Sequence, residues 1–245
     1  MYSRSYAGKT HTFEPSGGLI QGALVFQDDE TLTYWGLMQG KALAGPVAGT
    51  RLVELPVGHK LQWKDWVAQH PTTLVLSIQG REDVAFNPYT RYFGSKGGFR
   101  GLRATDGRLA TKAPIYAVQL GARKIAIPFT AFVGGGVVSL GKDGWAFLYR
   151  PAGVSIFHGT IAFQSKARFR KSGTAWSVGG ARFDPVRGAW SGKASPKRLQ
   201  GFDTFWYSWS LANPKTEVLG AAVAKPSAPK APKPTKRTWF SDPPR

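Results

Sequence analysis

The sequence contains no cysteine. That excludes a disulfide framework, a thiolate nucleophile, a Cys-based zinc site and an iron–sulfur cluster, and it leaves the redox compartment open. No apolar run approaches the ~20 residues a helix needs to cross a bilayer. Residues 1–9 are polar and lack the apolar stretch of a signal peptide, so a cytoplasmic location is the default expectation. Histidine is scarce: only His11, His59, His70 and His158 occur. No two of them stand at helical metal-ligand spacing, and neither H-E-x-x-H nor G-x-S-x-G is present. The spacing therefore nominates no metal site, no cofactor and no acid–base pair. Asp28-Asp29-Glu30 is the one acidic cluster, and a solvated turn is favoured there over a hard-cation site.

Acidic residues are fewest where basic ones concentrate. The chain carries 33 Lys and Arg against 14 Asp and Glu, a formal charge of +19. Residues 1–90 are near neutral. Segment 91–124 holds eight cations against Asp106 alone, and segment 166–198 holds nine against Asp184 alone. Within them Arg100 and Arg103, and Arg168, Arg170 and Lys171, alternate with aromatic or apolar residues, as polyanion-binding surfaces often do. These five are the candidate anion-binding residues. The distribution suggests one positive face and a polyanion or acidic protein as partner.

What is abundant points to β-structure. Thirty Gly and seventeen Pro punctuate the 245 residues and favour short strands joined by turns. Aromatic content is 13%, enough for an aromatic-rich core. An internal repeat organises it. Thr33-Tyr34-Trp35, Trp63-Lys64-Asp65-Trp66 and Pro71 to Leu76 recur in order as Thr174-Ala175-Trp176, Trp206-Tyr207-Ser208-Trp209 and Pro214 to Leu219. Each copy predicts a hairpin whose second strand carries a Trp, a short helix with two indoles on one face, and a closing strand after proline. Trp35, Trp63, Trp66, Trp176, Trp206 and Trp209 are read as core anchors of the two copies rather than as ligand-stacking platforms. Between the copies, the runs at 115–120, 124–128, 136–140, 145–149 and 159–163 predict an antiparallel meander.

The expected fold is mainly β with short helices, built from internally duplicated antiparallel-sheet units. Residues 1–84 form a partial first unit, 85–220 a complete second unit and 221–245 a disordered Pro/Lys-rich tail. One false lead is Gly136-Val137-Val138-Ser139-Leu140-Gly141-Lys142-Asp143. It spells a phosphate-binding loop except at Asp143, where a carboxylate would repel phosphate, so a turn between strands is expected.

The segment 40–52, Trp63-Lys64-Asp65-Trp66, residues 70–77, Asn87-Pro88-Tyr89-Thr90-Arg91-Tyr92, Asp106 to Lys112, Thr174-Ala175-Trp176 and Phe205 to Trp209 occur together here. With these pieces the chain resembles the bacterial domain-of-unknown-function 3179 family. The resemblance implies a duplicated β-rich architecture and carries over no catalytic residues. Family members usually begin with a further half-unit and are often exported or envelope-linked. The strands at Thr12-Phe13 and Leu24-Val25-Phe26 are therefore expected to lack neighbours, with a second copy or a partner chain covering the exposed edge. The functional expectation is a non-catalytic binding or scaffold protein whose basic face meets an anionic partner. The alternative is a hydrolase or metal-dependent envelope enzyme with a site between the two units, lined by His70, His158 and carboxylates.

Overall fold

The computed structural model describes residues 2–55, 60–77, 79–80 and 89–220. His59, the expected junction at 84/85 and the tail 221–245 lie outside the described residues.

The chain is mainly β, with three short helices among the described residues. It opens with β1 (Ser5–Tyr6) and β2 (Lys9–Thr10), then β3 (Phe13–Ile20), β4 (Ala23–Asp28), β5 (Tyr34–Gly36) and β6 (Lys41–Ala44). Helices α1 (Trp63–Gln69) and α2 (Thr90–Gly94) follow. The middle supplies β7 (Pro114–Leu120), β8 (Arg123–Pro128), β9 (Gly136–Ser139), β10 (Trp145–Tyr149) and β11 (Ile161–Ser165). Next come β12 (Arg170–Ser172), β13 (Ala175–Val178), β14 (Ala181–Asp184), β15 (Ala189–Ser191), β16 (Lys197–Arg198) and β17 (Phe202–Phe205). The described chain ends with α3 (Trp206–Ala212) and β18 (Glu217–Val218).

Four four-stranded sheets result, ordered β3-β4-β5-β6, β17-β7-β8-β18, β16-β11-β10-β9 and β12-β13-β14-β15. The middle runs do form strands, but they divide between two sheets instead of making one meander. Alternation along the strands explains why. On β7, Tyr116 and Val118 join one core, while Ile115 and Ala117 face the opposite way against Trp206 and Trp209 of α3. On β10, Ala146 and Leu148 enter that same first core, while Phe147 joins Phe169, Trp176, Val178 and Phe183 of the following sheet. These strands bury both faces, which is why they read as near-continuous apolar runs. The layer order is therefore α3, the β7–β8 sheet, the β9–β11 sheet, and the β12–β15 sheet. One pairing is parallel, β18 against β8.

The two Trp-x-x-Trp segments fold alike. Each gives a seven-residue helix preceded by an extended residue. Trp66 Nε1 donates to Thr73 Oγ1 at 2.9 Å, and Trp209 Nε1 donates to Thr216 Oγ1 at 2.8 Å. Their C-caps, His70 and Asn213, share a conformation near φ −135 and ψ 70 (φ −135, ψ 69 and φ −133, ψ 72). Burial differs sharply. Trp206 and Trp209 are buried, whereas Trp63 is 53% exposed and α1 has no buried residue. The expectation that Trp63 and Trp66 anchor a core is corrected accordingly. α3 rests on β7 and β17, and α1 has no equivalent sheet beneath it among the described residues. For the same reason residues 73–76 form no strand, leaving Leu74 and Leu76 at 94% and 90% exposed.

The edge expectation also changes. β4 lies inside its sheet, paired with β3 and β5, so of the two strands expected to be exposed only β3 is at an edge. Pro15 and a register shift between Pro15 and Leu19 interrupt that edge, which blunts it for pairing with another chain. Gly136 to Asp143 forms all of β9 and a tight turn into antiparallel β10, and Asp143 pairs with Arg123.

Candidate functional site

The five basic residues picked from sequence do not form one face. Arg100 and Arg103 are exposed on the loop that packs on α3, at one end of the layer order. The Gly98 backbone there lies against Tyr207: a Cβ on Gly98 would fall 2.7 Å from its ring, so this glycine serves packing. Arg168, Arg170 and Lys171 lie at the other end, in and beside the β12–β15 sheet. Arg168 stacks over Trp145 and Lys171 over Trp176.

Much of the charge in 91–124 is committed to structure. Arg108 pairs with Asp106 at 2.6 Å and donates to Thr216 O, holding the 106–112 loop onto α3. Arg123 bridges Asp143 and Glu217, tying β8 to the β9–β10 turn and to β18. Lys112 Nζ donates to the carbonyls of Tyr92, Phe93 and Ser95 and sits over the Tyr92 ring. Segment 166–198 is freer, since only Arg187 has a carboxylate partner among the described residues. On the outer side of the last sheet, Arg170, Ser177, Arg182 and Ser191 are cross-strand neighbours in one row.

The densest cationic site is one the sequence reading did not nominate. Lys41 on β6, Arg51 bridged to it, Lys124 on β8 and Lys215 after α3 line one cavity of about 350 Å³, with the amides of Gln39 and Asn213. None of the four cations has a carboxylate within ion-pair distance; among the described residues only Arg108, Arg123, Arg187 and His11 do. Lys124 is half-buried on a strand, and its Nζ donates to Gln119 Oε1. Burial, reinforced by repulsion from Arg51 and Lys41, pushes its ammonium down to about 8. Glu54 attracts it from farther off, and burial pushes that carboxyl up. Lys41 and Arg51 come from the first expected unit, Lys124 and Lys215 from the second. The one hint in the sequence was the Gly40-Lys41 to Thr50-Arg51 segment, and nothing in spacing placed it beside Lys124.

A second cavity, of about 200 Å³, is lined by Lys60, Tyr116, His158, Thr160, Arg198 and Asp203. Asp203 Oδ2 accepts from Thr160 N at 2.9 Å, while Oδ1 has no hydrogen-bond partner among the described residues. Burial pushes this carboxyl above the usual range, against the opposing pull of Thr160, Arg150 and Lys60. His158 belongs to this cavity; His70 does not, since it is exposed and its ring packs tilted against Trp66 with 4.2 Å between centroids. In the first sheet, His11 is drawn against Asp28 and Glu30.

This is a layered, mainly β chain with a cationic cleft lined by β6, β8 and the end of α3. It belongs to the family described as a protein of unknown function, DUF3179, whose model matches residues 1–216. No curated protein and no solved structure matches it. No helix among the described residues is long and apolar enough to cross a membrane.

Proposed function

We propose that this is a non-catalytic anion-binding protein whose ligand carries phosphate, sulfate or clustered carboxylates and sits in the Lys41–Arg51–Lys124–Lys215 cleft. The observation that carries the reading is the convergence on one cavity of four cations that have no ion-pair partner among the described residues, one of them a lysine with its pKa pushed down to about 8. Gathering like charges costs free energy in the free protein, and a bound anion removes that cost. The cleft's volume of about 350 Å³ suits a small polyanion or the end of a larger one. In the same reading, residues 1–84 and 85–220 are a partial and a complete copy of one unit, and the cleft lies between them. The matched Trp-to-Thr hydrogen bonds of α1 and α3 support this.

Anion binding should restore the proton that Lys124 lacks near pH 8. Calorimetry with inorganic pyrophosphate at pH 8, in buffers of different ionisation enthalpy, is expected to show net proton uptake that disappears in Lys124→Met. Binding with no proton uptake in the wild-type chain would place the anion elsewhere.

A hydrolytic site at Asp203 is the second reading. A raised carboxyl with a free oxygen facing a cavity suits a general acid. It lacks His70, one of the two histidines expected there, so binding is the better-supported function.

A further inference from the structure

His11 lies between β2 and β3, Asp28 ends β4, and Glu30 sits in the turn to β5. The fold of the first sheet brings all three together, with donor atoms within 4.8 Å of one another. His11 is 4% exposed and Asp28 is fully buried. Its ring is stacked on Tyr6 at 3.7 Å between centroids. Neither ring nitrogen has a hydrogen-bond partner among the described residues. A neutral imidazole has one donor and one acceptor, and leaving both unmet in a protein interior is costly. Nδ1 is 3.8 Å from Asp28 Oδ1 and 3.5 Å from Glu30 Oε2.

Those separations are too long for hydrogen bonds, and longer than the 2.7–2.9 Å typical of an imidazolium held by carboxylates. They are close to the spacing of two ligands around a shared cation: bonds of about 2.0–2.2 Å in a tetrahedron put ligand atoms roughly 3.4 Å apart. The carboxylates are held in place by their own donors. Asp28 accepts from Thr31 N at 2.6 Å, from Thr31 Oγ1 and from Trp35 Nε1 at 2.6 Å; Glu30 accepts from Thr12 N at 2.9 Å. Such outer bonds orient metal ligands. Both carboxyls are held below their usual range. For Asp28 the bonds from Thr31 and Trp35 together outweigh the upward push of burial, and for Glu30 the leading cause is the Thr12 amide.

We propose that His11 Nδ1, Asp28 Oδ1 and Glu30 Oε2 form a binding site for a first-row divalent cation of the zinc class, with the remaining coordination position open to water. The imidazole disfavours magnesium and calcium, which take oxygen ligands, and two carboxylates balance a charge of +2. The Asp-x-Glu pair was visible in the turn; His11, seventeen residues before Asp28, became a partner only through the β3–β4 pairing.

The test is calorimetric titration of the full-length, chelator-stripped chain with zinc, and in parallel with manganese and magnesium. One zinc per chain is expected, with magnesium at least tenfold weaker. Glu30→Gln, at a half-exposed position that leaves the core intact, and His11→Gln should each weaken zinc at least tenfold. Zinc should raise the melting temperature of the wild-type chain and not that of either variant. Absence of zinc and manganese binding, or zinc binding unchanged in a folded Glu30→Gln chain, overturns the proposal.

Discussion

Single polar contacts inside the Trp-rich regions differ in weight according to burial, and two threonines show it. Thr216 is buried and receives Trp209 Nε1, which is itself buried; Thr73 receives Trp66 Nε1 on the half-exposed α1. Thr216→Val leaves a buried indole N–H unpaired and is expected to cost about 1–3 kcal/mol, against a few tenths for Thr73→Val, where water can replace the hydroxyl. Urea denaturation of the two variants checks the difference. Titration is as specific. Burial raises the Asp203 pKa, so the folded chain binds more protons there than the unfolded chain between the ordinary aspartate pKa and the raised value. Stability from this group is present at low pH and is lost as pH rises through that window. Asp203→Asn should therefore be more stable than wild type at neutral pH, with the gap closing toward pH 3 in pH-dependent melting. For Lys124 the sign is opposite. Its pKa is lowered from the ordinary 10.5 to about 8, so the unfolded chain holds more protons between those two values and stability rises with pH in that window; Lys124→Met should abolish that rise.

At the scale of elements, α1 and α3 share length, C-cap geometry and a Trp-to-Thr hydrogen bond but differ in setting. α3 lies on β7 and β17 with Trp206 wholly buried, while Trp63 at the matching place is half in water. Trp206→Ala is expected to cost about 3–5 kcal/mol, and Trp63→Ala less than about 1 kcal/mol, by chemical denaturation. This contrast also marks how far the sequence could be read. The hairpin leading to Trp35, the paired Trp helices and the strands at 115–120 and 145–149 were legible because they depend on local turn chemistry and apolar patterning. Which Trp became core was not, because burial depends on whether a sheet lies beneath the helix. The division of the middle strands between two sheets was hidden for a related reason: residues buried on both faces lose the alternation that reports which sheet they face. Lys41 with Lys124, and His11 with Asp28, are far apart in sequence, so no local spacing could join them.

Across the whole molecule, charge and layers together decide where an anion can bind. Arg100 and Arg103 lie at one end of the layer order and Arg168, Arg170 and Lys171 at the other, and segment 91–124 spends Arg108, Lys112 and Arg123 on internal contacts. The cleft joins Lys124 of that segment to Lys41, Arg51 and Lys215, which lie outside both basic segments. The row of Arg170 and Arg182 on the outer sheet remains the rival surface. Exposed charges spread over a flat sheet are screened by salt within about 10 Å at 0.1 M, whereas a partly buried cluster is screened less. The most direct measurement is pyrophosphate affinity, across a salt series, for the wild-type chain, Arg51→Ala/Lys124→Met and Arg170→Ser/Arg182→Ser. The account predicts at least a tenfold loss in the cleft variant and wild-type affinity in the sheet variant. Wild-type affinity in a folded cleft variant would contradict it.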